Sequence, residues 1–371
     1  MKNFTLLYLL FFTCISSTLS QNIEIYVSDG GNFSIPPWQI LKFDENGDNP
    51  EVFINTNLAW PQDILFLEDQ NVVLISNLNS GTIAKFDSST GAFVGNFASG
   101  IGGPTRMKIG PDGLLYVLQW SGNGRVLRYE LDGTFLGAFT STGVTNSIGL
   151  DWDNAGNLYV SSYSTDNIRR YNSSGTDMGN FVNSNLVGPT NIVFDDAGNL
   201  IVLDYDGDTV KRFDANGNYL GVFISGVDQS EGIDFMPNGD ILIGNGGTSA
   251  VKRYTSSGVF IEDFVASGSG NLLLPNAVRI RDLSLSVPDF EFEENTVFLK
   301  SNVGNKFIIK SDVQSNRASK KVYNIFGALI EQGEITTSLV WDAESASEGL
   351  YFIKIELDNG RQLTQKVVVV N

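Results

Sequence analysis

Read in register at a step of about 42 residues, the sequence offers three sets of side chains able to do chemistry. The first is Asp29, Asn77, Gln119, Ser162, Asp204 and Asn245, one polar residue per unit. Residues of these types at a strand end accept backbone N–H bonds and tie down their own hairpins. The second set, one residue further on, is Gly30, Leu78, Trp120, Tyr163, Tyr205 and Gly246. Trp120, Tyr163 and Tyr205 thus place aromatics on three consecutive units. They either pack under loops or make a shelf on which a sugar ring or peptide side chain stacks. The third set reads Gln62-Asp63, Thr105-Arg106, Ile148-Gly149, Thr190-Asn191, Glu231-Gly232 and Asn276-Ala277. It mixes carboxylates and amides with the cation Arg106.

Histidine is absent from the chain. That removes the usual general base of hydrolases, most zinc sites and Ser-His-Asp catalysis. No nucleophile–base pair is visible, so no catalytic residue is assigned. The acidic stretches Asp44–Asp48 and Asp204–Asp208 have a calcium-loop look, but neither continues into the helix and distal Glu of an EF-hand. Hairpin turns are the better reading.

The elements that must position these residues are short strands. A basic residue followed by an aromatic recurs at Lys42-Phe43, Lys85-Phe86, Arg128-Tyr129, Arg170-Tyr171, Arg212-Phe213 and Arg253-Tyr254, at steps of 43, 43, 42, 42 and 41 residues. A second aromatic keeps the step at Phe53, Phe97, Phe139, Phe181, Phe223 and Phe264. Each unit holds four apolar runs separated by turn residues, with Gly113, Gly156, Gly198 and Gly239 in the first hairpin. Four antiparallel strands at this period are the signature of a propeller blade. The basic residues are expected to pair between blades. The first unit, residues 24–55, lacks an inner strand, and one lone copy, Pro275–Ile280, follows the last unit. The expectation is an all-β chain: a six-bladed β-propeller closed by a C-terminal inner strand, plus a small C-terminal β-sandwich.

Residues 1–20 carry one Lys, an apolar run from Phe4 to Phe12 and a small polar tail. The run is too short to span a bilayer and reads as a secretory signal peptide cut after Ser20. Lipid attachment at Cys14 is disfavoured by Phe11, Phe12 and Thr13 before it. Cys14 is the sole cysteine, so the mature chain has no disulfide. The acidity is uneven: residues 21–288 hold 30 acidic and 14 basic residues, whereas 300–371 hold 8 and 9. The first segment is therefore unsuited to nucleic acid or anionic membrane and suited to cationic partners or calcium.

The pattern Gly-Leu-Asp-Trp-Asp-Asn-Ala-Gly-Asn-Leu-Tyr-Val-Ser-Ser at 149–162 resembles NHL-repeat proteins and the six-bladed gluconolactonase-like family, a likeness spanning residues 22–282. The resemblance implies a channel calcium ion on hard oxygen ligands. Its candidate set here is Glu231, whose Glu-Gly pair matches the family's, with Asn191, Asn276 and Asp63. After the 283–296 linker, residues 297–371 resemble the type A C-terminal sorting domain of type IX secretion. Tyr323–Ile330, Glu348–Ile355 and a final strand containing Lys366 carry that likeness. Its marker residues are Gly327, Gly349, Tyr351 and Lys366, while Ser301-Asn302-Val303 stands where that family has Pro-Asn-Pro. The resemblance implies handling by the type IX machinery and a secreted or outer-surface location; the sequence itself leads to the expectation of no transmembrane span in the mature chain. Two functional classes follow. One is a binding propeller presenting Trp120, Tyr163 and Tyr205 to a protein or glycan; the other is a calcium-dependent lactonase-like hydrolase. The missing histidines favour the first.

Overall fold

The computed structural model describes residues 23–33, 35–283, 299, 303–308, 318–324, 328–335, 340–357 and 362–370. The expected signal peptide 1–20, the expected linker 283–296 except Leu283, and Gly327 lie outside the described residues. The chain forms two compact units, Met1–Ser286 and Val287–Asn371. Among the described residues no helix is long and apolar enough to cross a membrane.

The first unit is built of six four-stranded antiparallel sheets. Five follow one plan, of which Pro189–Phe194, Leu200–Asp204, Thr209–Phe213 and Tyr219–Ser225 are the example. The remaining sheet runs Pro275–Asp282, Ile23–Asp29, Gln39–Phe43, Glu51–Ile54, so its inner strand comes from the far end of the sequence. That strand pairs with Ile23–Asp29 in a register running from Ile23 opposite Asp282 to Ser28 opposite Ala277. It also lies against the inner strands on both sides, Ser230–Phe235 and Pro61–Leu67. Second strands such as Leu200–Asp204 and Ile241–Asn245 are buried at every residue, as strands covered on both faces must be. Gly113, Gly156, Gly198 and Gly239 take φ of +77°, +78°, +80° and +88° in the first hairpin turns, a region costly for any other residue.

The two repeat markers prove to be physical partners. The aromatics Phe43, Phe86, Tyr129, Tyr171, Phe213 and Tyr254 are buried. The four arginines before them lie over the second aromatic of the same sheet: Arg212 stands 4.2 Å from the Phe223 ring centroid, and Arg128, Arg170 and Arg253 repeat the contact on Phe139, Phe181 and Phe264. Their carboxylates are also local, Arg212 reaching Asp195 at 3.3 Å and Arg253 reaching Asp240 at 2.6 Å. This corrects the expectation of inter-blade pairing. Asp195 and Asp240 sit in the first hairpin turn of their own sheets, within easier reach than a neighbouring sheet.

The six aligned polar residues are all buried, and they hold more than their own hairpins. Each bonds the connection that leads into its own sheet's inner strand. Asn77 Oδ1 accepts from Ala59 N at 2.9 Å, Gln119 Oε1 from Gly102 N at 3.2 Å, Asp204 Oδ1 from Val187 N at 2.6 Å and Asn245 Oδ1 from Asp228 N at 2.5 Å. Ser162 does the converse, donating to Thr145 O at 2.7 Å. Asp29 treats the strand from the far end in the same way, accepting from Leu274 N at 2.9 Å and Leu273 N at 3.2 Å, and also from Gly31 N and Gln39 Nε2.

In the second unit a five-stranded sheet (order Val303–Gly304, Gln362–Val369, Gly349–Leu357, Ala318–Asn324, Leu329–Ile335) shares a core with a two-stranded sheet, Lys306–Ile308 and Val340–Asp342. Phe307 and Trp341 stack at 5.3 Å, and Trp341 meets Tyr351 at 5.2 Å. Tyr351 is thus a core residue. Gly349 has φ +146°, which accounts for glycine there, and Lys366 faces solvent.

Because Asp29 is a fully buried carboxylate with four donors, Asp29→Ala should lower unfolding free energy by about 3 kcal/mol or more in urea denaturation. A loss under about 1 kcal/mol would show that the latch is dispensable.

Candidate functional site

The six inner strands begin at one end of the first unit, the end that also carries the loops after each second strand. A cavity of about 190 Å³ opens there. Its wall is Leu78, Trp120, Tyr163 and Tyr205, four successive members of the aligned set, continued by Phe33 and Trp60. Its floor is Gln62, Ile148 and Glu231, each the second residue of an inner strand. The aromatics meet edge to face or tilted: Trp120 to Tyr163 at 5.8 Å, Tyr163 to Tyr205 at 5.9 Å, and Phe33 to Trp60 at 5.7 Å. The two glycines of the aligned set have a steric cause. A Cβ on Gly30 would lie 2.8 Å from Asn276 Nδ2, and one on Gly246 2.7 Å from Leu274 Cδ1.

Beneath the wall sits a buried ion pair. Arg106, 3% exposed, reaches across three inner strands. It donates to the carbonyl of Gln62, to Asn276 O at 2.6 Å and to Glu231 O at 3.2 Å, and its Nη2 lies 3.5 Å from Glu231 Oε2. Burial pushes the Glu231 carboxyl up, and the Arg106 charge opposes that shift. Burial likewise pushes the Tyr163 hydroxyl up to about 12, helped by the neighbouring Asp206 carboxylate, and raises Tyr205 further. Both tyrosines are therefore neutral hydroxyls at ordinary pH.

The residues do not fit a calcium ion. Calcium takes six to eight oxygens, but the Gln62, Asn276 and Glu231 carbonyls already hold a guanidinium. Asp63 is not available: Oδ1 accepts from Ile64 N at 2.9 Å and Oδ2 from Met107 N in the next sheet at 2.8 Å. Asn191 Oδ1 accepts from Ile192 N at 3.0 Å. Only Glu231 and the buried, unpartnered Asn276 Oδ1 remain beside Arg106. No group of three or more His, Cys, Asp or Glu suited to a metal exists among the described residues. The calcium set is corrected on this ground: a resident cation fills its place.

The structure thus brings Trp120, Tyr163, Tyr205 and Glu231 to one cavity and keeps Asp63 and Asn191 for backbone ties. Phe33 and Trp60 were missed. Trp60 had a readable signal. The residue before each inner strand is Trp60, Gly103, Asn146, Gly188, Gln229 or Leu274, and the first five take φ between +50° and +65°. A tryptophan at +54° in a slot suited to Gly or Asn is strained. Its indole N–H is buried without a partner among the described residues.

Residues 303–370 match the secretion system C-terminal sorting domain. The chain carries an export tail. That domain marks it for type IX secretion, to the cell surface or the medium. No curated protein matches the chain. Among solved structures, a chain of a nidogen/laminin complex is similar at 16% identity and TM-score 0.57, covering 70% of this chain and 98% of its own. A protein of unknown function from Bacteroides caccae is similar at 15% identity and TM-score 0.56, with the same coverage. A gluconolactonase-family structure aligns at 18% identity over 55% of this chain and 77% of its own, with a TM-score of 0.48, and carries no weight at that level. The likenesses establish an all-β, propeller-like fold and select no activity.

Arg106→Met should cost about 3 to 5 kcal/mol in denaturant unfolding, because it strands Glu231 and three carbonyls. Adding Glu231→Gln should recover part of the loss. Additive effects of the two changes would mean that they do not act as a pair.

Proposed function

We propose that the chain is an exported binding module: a closed six-bladed β-propeller of the NHL and gluconolactonase-like kind whose mouth pocket receives a protein or glycan ligand. The signal peptide is 1–20, the propeller 21–282, the linker 283–296 and the sorting domain 297–371. The observation that carries the binding role is the convergence of Trp120, Tyr163 and Tyr205, with Trp60 and Phe33, on one concave site. Rigid aromatics around a pocket are how proteins gain contact area at little entropic cost. Closure is supported by the pairing of Pro275–Asp282 with Ile23–Asp29 and by the Asp29 latch. The lactonase reading has lost its metal set and has no nucleophile–base pair. In the tail, Gly327, Gly349, Tyr351 and Lys366 are the sorting residues; Tyr351 shapes the domain core and Lys366 offers an exposed charge.

A ligand found on a glycan or protein array should bind about 1 to 3 kcal/mol more weakly to Trp120→Ala and to Tyr163→Ala, with melting temperatures unchanged. Wild-type affinity in both variants would remove the pocket from the binding role. The export assignment has its own check. Surface-exposed protein from the native host should lack residues 1–20 and 297–371 by intact mass, and replacing Gly349–Val370 should leave it in the periplasm. Asn371 on the surface form would contradict removal of the tail.

A further inference from the structure

We propose that the mouth pocket takes an organic ammonium group, either a free quaternary or primary amine or a lysine side chain. This rests on the reading that the pocket binds a ligand, and it names the ligand's chemistry. The wall presents π-faces and edges from five aromatics, Phe33, Trp60, Trp120, Tyr163 and Tyr205, interrupted by Leu78 alone. Such a box attracts a cation through the ring quadrupoles. The charges around it point the same way. In the described loops at this end the charged residues are Arg125 against Asp166, Asp206, Asp208 and Asp228. These carboxylates act on the wall: after burial, Asp206, Glu231 and Asp166 raise the Tyr163 hydroxyl further, and Glu231, Tyr163, Asp206 and Asp228 do the same at Tyr205. Asp228 is itself raised, first by burial and then by its neighbour Asp208. At the floor Glu231 is more than nine-tenths buried and faces the cavity, with a contact to Arg106 of 3.5 Å that only half-engages its carboxylate.

Other chemistries suit the site less well. An anion would meet four rim carboxylates and no lining cation, since Arg106 is committed to carbonyls beneath the floor. A sugar would bury hydroxyls against an apolar wall where Gln62, Glu231 and the tyrosine hydroxyls are the polar groups of the lining, and unpaired hydroxyls are costly. An alkylated ammonium needs no directional acceptor, and its methyl groups gain from the same wall.

The test is titration of the full mature chain by calorimetry and tryptophan fluorescence with choline, with Nα-acetyl-lysine amide and with 3,3-dimethylbutan-1-ol, the uncharged carbon isostere of choline. One or both ammonium compounds should saturate, with the isostere about tenfold weaker or worse. Which of the two binds identifies the source. Trp120→Leu should lose about tenfold for the cation, and Asp206→Asn should weaken the cation while leaving the isostere unchanged. Because Trp120→Leu removes a ring that also supports Tyr163, Tyr163→Phe serves as a milder second variant, with melting curves for each. Equal affinity for choline and its isostere overturns the ammonium assignment. So does silence to both ammonium compounds. If a neutral glycan then saturates and is lost in Trp120→Leu, the binding module stands without the ammonium assignment. If no ligand of any class perturbs the pocket, the binding reading falls as well.

Discussion

The arrangement at the mouth depends on one repeated constraint: a buried polar side chain at the end of each second strand must find a partner in the connection that enters its own sheet. Asp29, Asn77, Gln119, Ser162, Asp204 and Asn245 have no route to solvent, and an unpaired buried polar group costs about 1 to 3 kcal/mol. Satisfying them fixes where each inner strand starts. In four successive sheets the residue after the latch, Leu78, Trp120, Tyr163 or Tyr205, then faces the cavity, and Gln62, Ile148 and Glu231, each just past a strand start, form its floor. Pocket and sheet order are therefore set by the same bonds. The strand from the far end obeys the rule too, which is why a segment more than 240 positions away in sequence can complete the first sheet: Asp29 reaches Leu274 across a separation of 245 residues.

Arg106 supplies the second constraint. Three inner-strand carbonyls, those of Gln62, Glu231 and Asn276, converge on one buried place, an arrangement that needs a cation or a set of donors to be stable. A guanidinium answers both needs, since its planar fork carries charge and several N–H groups. Glu231 then balances the charge without leaving the cavity. Where a metal would have held these strands with exchangeable ligands, a covalently attached cation holds them permanently, and the pocket above is left to the aromatic side chains.

Much of this was legible in the sequence because the chain repeats itself. The Arg-aromatic marker at Arg212-Phe213 and the second aromatic at Phe223 are two halves of one packed pair, so their common period reported a real contact. The aligned set Leu78, Trp120, Tyr163 and Tyr205 named most of the wall before any coordinates. Two features were not legible. Arg106 stood in the aligned channel set as one oddity among oxygens, and nothing in sequence spacing shows that its fork closes on Gln62, Glu231 and Asn276 rather than pointing to solvent. Phe33 lies in the irregular connection between Ile23–Asp29 and Gln39–Phe43, where register is lost. Trp60 was still discoverable as the one tryptophan in a left-handed slot. Within the tail, Gly349 and Tyr351 could be named by likeness, but only the fold separates the backbone role of the first from the core role of the second.

The most direct test of the account is a high-resolution crystal structure of the mature chain grown with millimolar calcium and an ammonium ligand present together. The Arg106 guanidinium should lie beneath the cavity on the carbonyls of Gln62, Glu231 and Asn276, with the ligand among Trp60, Trp120, Tyr163 and Tyr205. A calcium ion coordinated by Glu231 and Asn276, with Arg106 displaced and the aromatic pocket empty, would contradict it.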